Sequence, residues 1–482
     1  MPKRVAIVGA GAGGTSTAYF LRQLHARQSA SDTLDITIFE VHDRIGGRAL
    51  AVNVSEERVL ELGASIFLTS NRIMYESALA FSFPFVEESE GSTLGLWDGA
   101  QFAFQTTGKG WWDTIRGAWR YGTSPLRASK ASQEAATKFF RSYQQGPKGG
   151  PFRGLEQWLA VQELLEYITV SGKAFLGSQG VGELYQREIV EGANRVNYSQ
   201  DLTSSHSLAA LITLAALSGD TRTVSGGNAR IFSEFAKRSG AELVLGPGKG
   251  RVTLVERREE SGYWVETEDG ERRDFDAVVV AVPLAHNAIR LLLPPTSPYT
   301  LRRSTLYPPS TTFVELHSTA VIGQLNPAYF ELAPDSSLPD SVIFINPAPP
   351  TPSLPPPFHS ATKHHTYPDG TSLYKLFSTA PPDQVVASLF LPGAKVAATK
   401  SWRAYPHLPP TDPSEVPPIV LDEDSAGGAV LYPGAFERVF STMESACVGG
   451  RNAARLLGQS WGWVVDGGFP DGPDSKPVKA KF

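Results

Sequence analysis

Four apolar residues in a row, Val5-Ala6-Ile7-Val8, are followed at once by a glycine-rich turn from Gly9 to Gly14. A run with no polar face predicts a strand buried within a parallel sheet, here over residues 4–8. The apolar positions then change to helical spacing, with Ala18, Leu21 and Leu24 on one face of a helix over 15–27. LDITIFE at 34–40 returns to β character. Strand, glycine turn, helix and strand make a βαβ unit. Short strands and turns follow from 47 to 68, a helix over 71–80, and a hairpin over 94–104 about Asp98-Gly99, a pair suited to a tight β-turn.

Amphipathic periodicity next predicts helices over 111–120, 131–143, 155–168 and 182–190, and a helix of small and apolar residues over 201–218. After the turn Gly226-Gly227-Asn228 comes a helix over 229–238. Strands are expected over 241–245, 252–258, 263–267 and 275–282, the last ending in the continuous apolar run DAVVVAVP. Strands over 311–321, 341–345 and 373–378, with 401–407 leading into proline turns, predict a second sheet. A final helix spans about 441–457. The proline-rich stretch 347–357 reads as a surface loop and 466–482 as a polar tail.

The pattern therefore predicts an α/β and α+β chain. A Rossmann-like nucleotide-binding domain (1–70, 220–290 and 425–465) is interleaved with a substrate domain (71–219 and 291–424) holding a mixed or antiparallel sheet and helices. Apolar residues are 41% and charged residues 19% of the 482, a globular composition that excludes a disordered chain. A net charge of −5 with mixed signs gives no footprint for nucleic acid. One cysteine, Cys447, excludes an internal disulfide and a dithiol flavoenzyme mechanism, and reads as a packing residue. No apolar run is long enough to span a membrane. No leader precedes the first strand, which points to the cytoplasm.

Gly9-x-Gly11-x-x-Gly14 lies between strand and helix, the context a dinucleotide fingerprint requires. Gly9 permits the tight turn, Gly11 lets backbone approach a diphosphate, and Gly14 lets helix and strand meet closely. First-turn amides of the helix would face the phosphate charge. Glu40 closes the second strand, placed to accept hydrogen bonds from ribose hydroxyls. Asp43-Arg44-Ile45-Gly46-Gly47-Arg48 then brings backbone and two guanidinium forks to the same diphosphate. This turn resembles the GG motif of amine oxidases, phytoene desaturases and related flavoproteins. The resemblance implies FAD, with Arg48 near the flavin or its diphosphate. It also implies a flavin-side segment at Glu61-Leu62-Gly63-Ala64, with Ala64 where glycine is commoner, and an adenine-binding backbone at Val252. Met443, Glu444 and Ser445 open the last helix, whose first amides would face the flavin's pyrimidine end. Such a site requires the two ends of the chain to lie close together.

One family is resembled over about residues 4–458, the prenylcysteine oxidases or lyases. The residues that carry the likeness are GAGAGGTSTAYFLRQ near the start, Val224-Ser225-Gly226-Gly227-Asn228, Leu325-Asn326-Pro327-Ala328-Tyr329-Phe330, the strand Leu373-Tyr374-Lys375-Leu376-Phe377-Ser378, and Ser401-Trp402-Arg403-Ala404-Tyr405-Pro406-His407. Val224-Ser225 departs from the usual acid before GGN, and a polar insertion surrounds 363–369. The resemblance implies oxidative cleavage of farnesyl- or geranylgeranyl-cysteine to cysteine, a prenyl aldehyde and hydrogen peroxide, with O2 as acceptor and no metal. It points to a lysosome or vacuole; apart from the resemblance, peripheral contact with a membrane stays open.

His407 and His206 are the candidate catalytic histidines, as contacts to a substrate carboxylate or relays for a water proton. His364-His365 reads as a solvent-facing pair in a loop. Leu208, Leu211, Ile212 and Leu214 are candidates for one wall of a prenyl tunnel. Two other readings stay open: a related FAD-dependent oxidase or desaturase acting on another hydrophobic metabolite, and a non-catalytic, escort-like flavoprotein relative.

Overall fold

The computed structural model describes residues 3–28, 33–55, 58–86, 92–144, 149–286, 288–302, 313–348 and 356–465. The centre of the proline-rich loop and the polar tail lie outside the described residues. A six-stranded sheet runs in the order Val420–Glu423, Ala429–Leu431, Ala277–Val280, Lys3–Val8, Leu34–Glu40, Glu242–Leu245. Its neighbours are parallel except the first pair. Val5, Ala6, Ile7 and all of Ala277–Val280 have no exposed surface, as expected of strands covered on both faces. The first helix, Ala12–Ala26, and the C-terminal helix, Met443–Ser460, pack against each other. The first and last described helices therefore meet.

A seven-stranded sheet takes the order Lys395–Pro406, Phe313–Gly323, Ser372–Ser378, Ser360–Thr366, Ser341–Phe344, Leu94–Trp97, Phe102–Gln105. It is antiparallel except between Ser341–Phe344 and Leu94–Trp97. Alternation along Ser372–Ser378 divides its faces. Tyr374 and Leu376 enter a core with Trp97, Phe330 and Phe358, while Leu373 packs on Leu60 and Leu62 of the hairpin Leu50–Ser55/Arg58–Gly63. Lys375 thus belongs to the hairpin side. The architecture is the expected mixture of α/β and α+β.

Several local expectations are corrected. The strand expected over 275–282 is two, Arg272–Phe275 in a separate four-stranded sheet and Ala277–Val280 in the central one. Between them Asp276 exchanges bonds with the Arg4 backbone. The helix expected over 155–168 breaks into Leu155–Val161 and Leu165–Thr169, and Glu163 between them has a left-handed φ of 61°. The helix expected from 201 begins only at Ser207. Glu191–Tyr198 is helical without an apolar stripe to announce it, because its buried polar groups are paired: Arg195 donates to Asp201 and Asn346, Glu191 accepts from Asn346, and Asn194 donates to the Gln200 carbonyl and the Ser205 hydroxyl. The polar stretch around 363–369 contains the strand Ser360–Thr366, so His364 and His365 lie on a strand rather than in a loop. Leu208, Leu211 and Leu214 are buried in the main core beside the helix Ser124–Phe140, as ordinary packing.

Candidate functional site

The two glycine turns face each other. The Gly46 amide donates to the Ala10 carbonyl at 2.9 Å, and a Cβ on Gly11 would lie 3.8 Å from the Gly47 Cα. A Cβ on Gly14 would lie 1.9 Å from the Gly9 carbonyl oxygen, so helix and strand touch there through backbone alone. The first helix starts after Gly11 with no side chain capping it. Its first-turn N–H groups are directed at the gap between the turns, where they favour an anion.

Glu40 ends its strand buried, accepting from the Ala10 amide at 2.9 Å and from the His42 amide and ring. The Gly246 amide donates to the Glu40 carbonyl, and a Cβ on Gly250 would meet that same oxygen at 2.0 Å. Val252, two residues on and buried, is thereby held on the Glu40 side of the turn. Acid, glycine turn and Val252 strand form one continuous wall.

Arg44 folds back on its own turn, donating to the Gly47 and Ala49 carbonyls, so it shapes the turn rather than reaching out of it. Arg48 crosses to the other sheet, donating to the Ala404 carbonyl at 2.8 Å and pairing with Glu437. About a third of the Arg48 side chain, 35%, stays accessible beside these partners, and Lys375 and Tyr405 are likewise half-buried. A Cβ on Gly63 would strike the Arg48 carbonyl at 2.3 Å and the Trp402 ring at 3.2 Å, and the Trp402 ring N–H donates to the Leu62 carbonyl. Gly63 is therefore needed for the contact between its own segment and the strand Lys395–Pro406. Ala64 beside it has a φ of 54°, the conformation for which glycine is better suited.

The C-terminal helix closes the site from the far end of the sequence. A Cβ on Gly450 would lie 2.2 Å from the Ser16 hydroxyl and 2.4 Å from the Gly13 carbonyl, and buried Cys447 lies against the Ala12 carbonyl. Thr442 and Ser445 form a reciprocal capping box, which occupies the Ser445 side chain and its amide. The Glu444 carboxylate points away from the turn. It accepts from the Ile73 and Met74 amides at 2.9 and 3.0 Å and from the Tyr143 hydroxyl, capping the helix Arg72–Ala80. Burial pushes its pKa up to about 7, against the three donors that stabilise its charge. Of these three residues, then, Glu444 and Ser445 serve local structure through their side chains. Glu444→Ala strands two amides and a hydroxyl in the core, and is expected to cost about 3 kcal/mol. A lower urea midpoint at an unchanged denaturant slope is the measurement.

The neighbouring polar cluster was not legible in the sequence. Glu61, buried, accepts from the Asn228 amide at 2.5 Å while its second oxygen has no protein partner. Asn228 also donates to the Ala64 and Ser65 carbonyls, so the GGN turn is bolted to the segment after Glu61. Lys375 donates to the Ser65 hydroxyl at 2.9 Å. Burial raises Glu61 to about 7 and lowers Lys375 to about 8, and each pulls the other back toward its charged form. His364 on the strand Ser360–Thr366 is exposed. A lone acid in LELG and a lone base in LYKLFS, each interrupting an apolar strand, were the available signals.

The two expected histidines are elsewhere. His206 is fully buried as the N-cap of Ser207–Ser218, its Nδ1 accepting from the Ala209 amide, and burial lowers its pKa to about 4. His407 is exposed. Neither joins Glu61 and Lys375. Among the described residues no group of three or more His, Cys, Asp or Glu is arranged to hold a metal.

Comparison with known proteins agrees with this geometry. The prenylcysteine lyase family model matches residues 104–466, and a model of the NAD(P)-binding Rossmann-like domain matches residues 7–78. The chain is 29% identical to farnesylcysteine lyase of Arabidopsis thaliana, over 95% of this chain and 88% of that protein. It is 27% identical to prenylcysteine oxidase 1 of Homo sapiens, over 96% of this chain and 90% of that one. Among solved structures, cyclohexylamine oxidase from Brevibacterium oxydans superposes with a TM-score of 0.59 at 14% identity, covering 95% of this chain and 99% of that one. A putrescine oxidase variant gives 0.58 at 17% identity, with 95% and 99% covered. The last two establish likeness of fold.

Proposed function

This chain belongs to the prenylcysteine lyase family, and from that premise we propose that it is an FAD-dependent thioether oxidase. It cleaves farnesyl- or geranylgeranyl-cysteine, with O2 and water, to cysteine, the prenyl aldehyde and hydrogen peroxide. The observation that carries the reading is the family match over residues 104–466, which spans in full five strands of the seven-stranded sheet, Ser372–Ser378 with Lys375 among them. In this reading the nucleotide unit is drawn from 1–70, 220–290 and 425–465, and the rest of the described chain holds the substrate.

The residues present fit FAD. The gap between Gly11 and Gly47 is one that side chains would fill. The uncapped first helix suits the diphosphate, Glu40 and Val252 the ribose and adenine, and Arg48 the flavin end. FAD bound there would take the hydride from the allylic carbon beside sulfur, where sulfur and the double bond both stabilise the positive charge left behind.

The chain's own residues do the rest. Trp402, Tyr405 and Phe377 offer aromatic surface to hold an oily tail in place, which supplies orientation at small entropic cost. Water then adds to the cationic carbon and must lose a proton. Lys375, whose neutral form burial favours, accepts it at Nζ. Ser65 and Glu61 position that amine. The hemithioacetal so formed collapses to aldehyde and cysteine.

The test is anaerobic mixing of the purified yellow protein with farnesylcysteine, without NADPH. Loss of the oxidised flavin's visible absorbance is expected, with one cysteine released per flavin reduced. Persistence of the oxidised spectrum would overturn the substrate assignment.

A further inference from the structure

The helix Gly110–Tyr121 is amphipathic the wrong way round. Its polar side is fastened inward. Arg120 makes two bonds of 2.7 Å to buried Glu188, which also accepts from Tyr121, and Arg116 donates to the Gln105 carbonyl and lies over the Phe104 ring. Asp113, the helix's one acid, is bound to the Thr107 amide and hydroxyl. Its apolar side faces out. Trp111 is 69% exposed, Trp119 89%, and Leu126 at the start of the next helix 74%. At about 100° per residue, Trp111, Ile115, Trp119 and Trp112 fall within a stripe roughly 100° wide.

We infer that this stripe docks the protein onto the surface of an anionic lipid bilayer. Burying apolar side chains is the ordinary outcome for a helix of a soluble domain, and here ion pairs hold the opposite orientation in place. Tryptophan is the residue suited to the headgroup boundary, with an apolar ring and a polar N–H. The charge around the stripe is complementary to acidic lipid. Besides the inward-bound Arg116 and Arg120, residues 109–130 hold Lys109, Arg127 and Lys130, in a chain whose net charge is −5, and Lys109 and Lys130 are exposed. A second copy docked face to face would instead bring those cations onto their own copies. Among the described residues no helix is long and apolar enough to cross a membrane, so the contact is peripheral. The inference goes beyond the proposed reaction, since it uses only exposure and charge.

The test is co-sedimentation of the full-length protein with phosphatidylcholine vesicles, with and without phosphatidylserine. Binding is expected to require phosphatidylserine, to weaken with added salt, and to fall at least tenfold in Trp111→Ser/Trp119→Ser and in Lys109→Glu/Lys130→Glu. Tryptophan emission of the parent protein should shift to the blue on vesicle addition. Equal binding by the tryptophan variant overturns the inference. So does a concentration-dependent dimer that the tryptophan substitutions abolish without any vesicle binding, which would assign the stripe to a second copy. The readout needs no turnover, so it stands apart from the fate of the reaction.

Discussion

Gly450→Ala is expected to yield a protein about 2–3 kcal/mol less stable and colourless after purification. The added methyl would lie 2.2 Å from the Ser16 hydroxyl, 2.4 Å from the Gly13 carbonyl and 3.0 Å from the Thr17 amide. Ser16 can rotate away, but the other two atoms are backbone of the first helix. The C-terminal helix must therefore move off the glycine turn. Ser445, Cys447 and Gly450 are carried on the same rigid element, so its displacement opens the site from one side. Gly117→Ala is the control, because nothing lies within 4 Å of the new methyl. In a helix interior that change is expected to stabilise by about 0.5–1 kcal/mol. Opposite signs for the same chemical change, read from thermal unfolding and the flavin-to-protein absorbance ratio, test the close approach itself. A yellow Gly450→Ala protein of normal stability would refute it.

Lys375→Met is expected to keep the flavin and its reduction by substrate while lowering the rate of cysteine release by about 10²- to 10⁴-fold. Methionine fills a similar volume but takes up no proton. In the parent protein the rate should rise with pH through about 8, as the Lys375 ammonium gives way to the free amine. Glu61 supplies a second sign. Its negative charge favours the ammonium and so raises the lysine's pKa. Glu61→Gln removes that charge, and the rising limb should move to lower pH. Steady-state rates from pH 6 to 10 on the three proteins give the answer. If Lys375→Met keeps the same limb, another group takes the proton.

The nucleotide-binding half could be read because its signals are local. A strand, a glycine turn and an acid 31 residues after the first glycine occupy one short stretch, and Leu34–Glu40 and Tyr263–Thr267 form as the periodicity predicts. The buried polar cluster could not be read in that way. Glu61 and Lys375 stand in separate motifs, and only the packing of the hairpin Leu50–Ser55/Arg58–Gly63 on the sheet brings their charges together. The histidines are likewise placed by contacts the sequence does not announce: His206 caps a helix, while His407 is exposed. Glu444 carries a charge that suits a cofactor helix, and spends it on the helix Arg72–Ala80.

By itself the sequence determined the opening βαβ unit, the dinucleotide turn and the family. Those depend on backbone conformation and apolar spacing, which adjacent residues impose on one another. Tertiary structure alone decided which polar groups are buried together, which way each guanidinium and carboxylate turns, and that one tryptophan helix faces outward. These are matters of desolvation and contact between residues distant along the chain, and no local pattern encodes them.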